Sequence, residues 1–165
     1  MRKINATIQG LITGTLMILI SLLIFQVKQS FDNNLQYITY AVYIAGITWT
    51  LVYFHRFSSQ EKKFKNYFSQ GFKCFIVVTL LMVAFTWVFM YANPGLEDEM
   101  AANYRKDLLA NGNYTPSEID GNVAKAREYF VPMLISGVIF GYLMIGALVT
   151  AVTSFLLSNK KNRQA

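Results

Sequence analysis

The residues able to do chemistry are few and scattered. Glu97, Asp98 and Glu99 are consecutive carboxylates of the kind a divalent cation takes. They also fall in the first turns of a helix starting at Asn93-Pro94, where acids favour the helix dipole, and that is the simpler account. The chain has one histidine, His55, and one cysteine, Cys74, so an N/S zinc site cannot be assembled within one chain and no intrachain disulfide can form. His55 reads as an interfacial residue rather than a ligand or proton relay, and Cys74, in an apolar run, as a small buried residue. No Gly-rich phosphate loop is present. Asn113-Tyr114-Thr115 matches a glycosylation acceptor. No catalytic residue, cofactor or metal is expected, and the chain reads as a non-enzyme.

The elements that must position these residues are membrane spans. The composition is 54% hydrophobic and only 15% charged, against roughly 25% charged in soluble domains. The charges cluster and leave four long uncharged stretches, so the fold class expected is all-α: an integral membrane four-helix bundle forming a single domain over residues 1–165. The net charge of +6 does not point to nucleic acid, because ten of the fifteen Lys and Arg residues lie at the termini and in one short loop.

The first span covers about residues 4–27, too long and too poor in small residues at its end for a signal peptide. Thr7, Gly10, Gly14, Met17 and Ser21 recur at spacings of three and four, which puts them on one face where a neighbouring backbone can approach. Gly10 and Gly14 form a small-xxx-small pair that serves internal packing or dimerisation. After a turn containing Asp32, Asn33 and Asn34, the second span covers about residues 35–54, with Tyr37, Tyr40 and Tyr43 at one end, Trp49, Tyr53 and Phe54 at the other, and Ala41, Ala45 and Thr48 as its small face.

The loop from His55 to Lys73 holds Arg56, Lys62, Lys63, Lys65 and Lys73 against one acid, Glu61, and Ser58 with Glu61 has capping-box spacing, the signature of a helix start. Phe57, Phe64, Phe68 and Phe75 share one side, with Lys62 and Lys73 opposite, so this basic, aromatic segment either lies on an anionic membrane surface or simply obeys the charge bias of loops. The third span covers about residues 72–92 and ends in an aromatic belt.

The only long polar segment, about residues 93–131, reads as a helical cap outside the membrane. Asn93 as N-cap with Pro94 at N1 starts its first helix, and Asn111-Gly112 stops it. Thr115, Pro116 and Glu118 start a second helix with capping-box spacing. Leu96, Met100, Tyr104 and Leu108 mark one apolar face and Ile119, Val123, Ala126 and Phe130 the other, so the two helices either close as a hairpin or lie on the bilayer.

Pro132 opens the fourth span, about residues 131–157. It carries Gly137 and Gly141 on one side and Gly146, Ala147, Thr150, Ala151 and Ser154 on another, which makes it the expected centre of the bundle. Lys160, Lys161 and Arg163 close the chain as a basic membrane-surface cluster. The N-terminus, second loop and C-terminus carry ten Lys and Arg, the first loop and the cap five, with seven acids in the cap. The positive-inside rule then places both termini in the cytoplasm and the cap outside.

Four spans, the Phe68-Ser69-Gln70-Gly71-Phe72 entry to the third, Asn93-Pro94 at its exit, the acidic helical segment and a Gly-rich last span ending in Lys160-Lys161 form a distinctive order. The chain resembles the domain of unknown function 4199 family, small bacterial membrane proteins mainly of Bacteroidetes. The resemblance implies an inner-membrane location and a periplasmic cap, and no activity. Two functions are expected from these features: an accessory or structural protein whose cap contacts a protein partner, or a small transporter or channel lined by Thr and Ser. The lipid bilayer is the other partner expected, and the sequence leaves the oligomeric state open.

Overall fold

The computed structural model describes residues 5–28, 33–58 and 63–159. Among them the chain forms five helices and no strand: α1 Ala6–Lys28, α2 Asn33–Phe57, α3 Phe64–Ala92, α4 Gly95–Asn111 and α5 Pro116–Asn159. Four of them, α1, α2, α3 and α5, are long and apolar enough to cross a membrane. The helices form two compact units, Met1–Met82 with Ile139–Ala165, and Val83–Val138.

Two boundaries differ from those expected. The helix that carries the third span begins before Phe72: α3 starts at Phe64, so most of the basic loop is helical, and Ser58 and Lys63 are its only described non-helical residues. The pairing of Ser58 with Glu61 lies outside the described residues. Nor does a helix start at Pro132: α5 runs through it as one helix of 44 residues. Proline removes one backbone donor and leaves the Glu128 carbonyl without its partner. Glu128 is exposed, where water can replace that bond, and the Ser136 hydroxyl donates to the Pro132 carbonyl oxygen at 2.8 Å.

In the first unit α3 touches all three other helices. Gly10 and Gly14 of α1 lie against it: a Cβ on Gly10 would stand 2.8 Å from the Cys74 carbonyl oxygen, and one on Gly14 2.6 Å from Leu81 Cδ1. Thr50 of α2 lies 3.3 Å from Cys74 Sγ. From α5, Thr150 packs on Gly71, and a Cβ on Gly146 would meet Phe75 Cβ at 2.8 Å. The pairs Thr50–Cys74 and His55–Tyr67 make α2 and α3 antiparallel, Thr150–Gly71 and Gly146–Phe75 do the same for α5 and α3, and α1 runs parallel to α3. The expectation that the last span is central is therefore corrected. The apolar window of α3 is 39% buried and that of α5 17%, because Phe140, Met144, Leu148, Val152 and Phe155 of α5 all face outward.

The small faces need the same scrutiny. Of the α1 stripe, Gly10, Gly14 and Met17 are buried and Ser21 half-buried, but Thr7 is exposed, and Gln9 and Thr13 join the contact instead. On α2 the stripe is displaced: Ala41 and Ala45 are exposed and Thr48 half-buried, while Tyr43, Gly46, Ile47, Thr50 and Leu51 form the packed face. Alanine is small enough to face lipid at no cost, whereas Gly46 lies under Thr13, where a Cβ would overlap the threonine side chain.

Gly10→Ala is expected to lower the thermal midpoint in detergent, with an overpacking cost of about 1–3 kcal/mol, since its new methyl meets backbone. Gly137→Ala, at a position with nothing within 4 Å, should leave the midpoint unchanged or raise it through helix propensity. Equal midpoints for the two variants would contradict the packing described.

Candidate functional site

The second unit holds the polar hairpin. Its first helix, α4, has Glu97 and Asp98 in the first turn, as the dipole prefers. The expected Asn93 cap is corrected. The N-cap position is Pro94, with no side-chain cap bond, and the Asn93 side-chain amide instead donates backwards to the Phe89 carbonyl oxygen at 2.8 Å. An amide can donate as readily as accept, and here it terminates α3 rather than starting α4. At the other end, Gly112 takes the left-handed conformation (φ 65°) and its N–H bonds the Leu109 carbonyl at 3.3 Å, the stop expected from Asn111-Gly112.

The start of α5 is a complete capping box. The Thr115 N–H and hydroxyl both donate to Glu118 Oε2 at 2.8 Å, and the Glu118 N–H returns to Thr115 Oγ1 at 3.4 Å. The two donors hold the Glu118 carboxyl below its ordinary value of 4.5, first through the Thr115 backbone and then through its hydroxyl.

Two ion pairs fix how α4 and α5 meet. Arg105 bonds Asp120 at 2.6 Å, and Arg127 bonds Asp98. Moving seven residues along α4 moves seven back along α5, so the helices are antiparallel in a single register. Both pairs are more than half exposed, so each adds less than about 1 kcal/mol, and their main effect is to select that register. Ala101, Leu108 and Ile119 are buried. Leu96, Met100, Val123, Ala126 and Phe130 are half-buried, but Tyr104 is exposed, so the inward face of α4 turns on Ala101 rather than Tyr104.

Between these helices lies an open cleft of about 630 Å³, lined by Glu97 and Ala101 of α4 and by Asp120, Ala124, Arg127 and Glu128 of α5. The same register sets Glu97 opposite Glu128. Among the described residues no three His, Cys, Asp or Glu side chains converge on a metal site. Successive residues such as Glu97, Asp98 and Glu99 project about 100° apart around a helix, so adjacency in sequence does not make them a ligand set.

The remaining residues singled out in the sequence belong mostly to the first unit. Gly10, Gly14, Gly146 and Thr150 sit at helix contacts; Ser21, Gly141, Ala147 and Ala151 are half-buried; Gly137 stands in open space. Arg56, Lys63, Lys65 and Lys73 are exposed, and Lys62, Lys160, Lys161 and Arg163 lie outside the described residues. His55 is not a solitary interfacial ring: its Nδ1 lies 2.5 Å from the Tyr67 hydroxyl and its ring stacks near Tyr67.

Thr150 and Ser154 lie on the small face expected of the fourth span, whereas the burial of Gln9, Thr13, Thr50 and Tyr43 was not foreseen. Gln9, Thr13, Thr50, Thr150 and Ser154 are all under 5% exposed, and the buried Tyr43 hydroxyl donates to the Tyr142 carbonyl oxygen at 2.9 Å. Gln9 Nε2, Thr150 Oγ1 and Ser154 Oγ are buried without a hydrogen-bond partner among the described residues. Tyr142 extends that face of α5 as the i, i+4 series Tyr142, Gly146, Thr150, Ser154.

These elements define a class: an all-helical membrane protein with four span-length apolar helices and an ion-paired polar hairpin. The chain belongs to the DUF4199 family, described as a protein of unknown function, whose family model matches residues 9–159. No curated protein and no solved structure matches it.

The capping box gives a pH dependence with a definite sign. A carboxylate whose folded pKa is depressed stabilises the helix above its unfolded value and loses that stabilisation as pH falls through the folded one. Amide-exchange protection in the first turn of α5 should therefore be flat above pH 4.5 and fall below it. Glu118→Gln should remove that pH dependence, and a profile identical to wild type in this variant would refute the assignment.

Proposed function

We propose that the protein is a non-enzymatic accessory or structural protein of the bacterial inner membrane: a four-helix bundle, both termini cytoplasmic, whose periplasmic helical cap contacts a protein partner. The observation that carries this is the hairpin, two polar helices held in one register by Asp98–Arg127 and Arg105–Asp120, beside a cleft of about 630 Å³. A preorganised surface loses little entropy on binding, which is what a docking element needs. The seven acids of the cap and the basic second loop and termini support the orientation. The absence of charge from the interior of the spans supports a non-enzyme.

Transport is the second reading, favoured by the buried polar atoms of Gln9, Thr150 and Ser154 that have no partner among the described residues. Against it stand the helix contacts at Gly10, Gly46, Gly71 and Gly146, where there is no room for even a methyl group and so none for a file of water along those interfaces.

Photocrosslinkers at Tyr104 and Tyr129, exposed residues of the hairpin, are expected to trap one protein of a single mass, and reversal of both arginines, Arg105→Asp with Arg127→Asp, should abolish the adduct. Diffuse labelling, or an adduct indifferent to the reversals, would count against a docking role. Orientation is read separately. In a Cys74→Ser background, Asp107→Cys should react with an impermeant maleimide from the periplasmic side and Lys65→Cys should not.

A further inference from the structure

The register set by the two ion pairs of the hairpin leaves negative charge over. Asp98 takes Arg127 and Asp120 takes Arg105. Glu97 and Glu128 stand at one level on the two sides of the cleft, and among the described residues no cation lies within ion-pair distance of either. Glu97 is half-buried, so salt and water screen it only in part. Like charges set across a groove repel, and a cation arriving between them is attracted by both. The cap as a whole has the same sign, with seven acids against four bases over residues 93–131.

Between these charges the cleft is low and apolar. Ala101 and Ala124 share one level of the register, and Val123 and Val131 line the same cleft. Ala124 is exposed, and a methyl group on each helix leaves the seam between α4 and α5 unfilled. Along α5 the cleft runs from Asp120 to Val131, about 16 Å or three helical turns. Every lining side chain comes from a helix whose backbone groups are bonded internally. An extended segment would find no backbone partners there, whereas a helix brings its own bonds already made.

We propose that the cleft seats a helix of a partner protein, its apolar face on Ala101, Val123 and Ala124 and one of its Lys or Arg side chains between Glu97 and Glu128. The apolar stem of either residue suits the cleft floor and its charge suits the two carboxylates. A second copy of this chain would bring a cap of the same net sign, and an anionic lipid headgroup would be repelled likewise. A metal ion would leave the apolar floor uncovered. The proposal rests on the docking role of the cap and names the chemistry of what docks.

The test places a diazirine amino acid at Ala124 of the full chain, in its own membrane, and maps the crosslinked residue by mass spectrometry. The adduct should fall on a partner segment with Lys or Arg within one helical turn of that residue. The same diazirine at Val131 should mark that segment about seven residues away, the spacing of a helix lying along α5. Glu97→Lys with Glu128→Lys should cut the yield about tenfold or more, and reversal of the partner's mapped cation to Glu should restore it, which a misfolded cap would not allow. Glu99→Lys, exposed and outside the cleft, should change nothing. No adduct, an adduct with a second copy or with lipid, a mapped segment without a cation, a spacing of about three residues, or a yield indifferent to the double reversal would each overturn the proposal. If Tyr104 and Tyr129 trap a single protein while Ala124 traps none, this inference alone fails; if none of the three traps a protein, the docking role fails with it.

Discussion

In hydrocarbon, burying an apolar side chain against another helix gains little, because lipid is as apolar as the partner. Helices must then hold together by close van der Waals approach and by the hydrogen bonds that close approach allows. The first unit depends on this constraint. Its contacts are made where glycine removes the Cβ: Gly10 against the Cys74 backbone, Gly46 under Thr13, Gly71 under Thr150 and Gly146 under Tyr43 and Phe75. Each pairs a glycine with a larger group from another helix, so the surfaces interlock rather than merely adjoin. α3 is central because it contributes both kinds of partner, Gly71 as a hole and Phe75 as a knob.

Close approach also decides which polar groups are tolerable. The Thr50 hydroxyl reaches the Gly46 carbonyl oxygen at 3.0 Å, four residues back on its own helix, while Thr79 does the same to Phe75 at 2.8 Å. A hydroxyl bonded to its own backbone carries almost no polarity outward, which lets threonine serve as a packing residue inside lipid. Tyr43 is different, because its hydroxyl crosses to the Tyr142 carbonyl of α5 and ties two helices that glycine contacts alone would leave free to slide. Such a bond fixes register more than it adds stability, as interhelical hydrogen bonds in membranes are worth about 1 kcal/mol. The ion pairs of the hairpin play the same part in water, where Asp98–Arg127 and Arg105–Asp120 select one alignment of α4 on α5 from several that apolar burial would permit.

Much of the layout was legible because it rests on composition and on caps. Uncharged runs of span length announce α1, α2, α3 and α5, and Thr115 with Glu118 announces a helix start because only that spacing closes both bonds. What was not legible depends on a partner elsewhere in the chain. Ala41, Ala45 and Thr48 form as good a small stripe as the true face, and only the position of Thr13 on α1 selects Gly46 instead. Tyr43, placed in an interfacial belt by its ring, is fully buried because Tyr142 offers a carbonyl ninety-nine residues away. Asn93 could cap either helix, and its neighbour Pro94 biased the choice towards the wrong one. The lysines and phenylalanines of α3 were visible as a basic, aromatic segment with a helix start before it, but not that this helix continues unbroken into the third span.

Pro132 shows how a rule fails at a boundary. Proline is favoured at the first turn of a helix, where its missing N–H is no loss, so Pro132 before an apolar run reads as a start. The other inexpensive place for proline is any point where water can reach the carbonyl four residues earlier. Residues Pro116 to Glu128 provide such a place, being polar and largely exposed, and the Glu128 carbonyl lies within them. One turn further on, the deprived carbonyl would fall in the apolar run, where no water reaches it and its cost rises several-fold. α5 is about 66 Å long, twice the hydrocarbon thickness, so it must leave the apolar layer. The proline stands where polar helix gives way to apolar helix, as far along as an unpartnered carbonyl can be carried before lipid makes it intolerable.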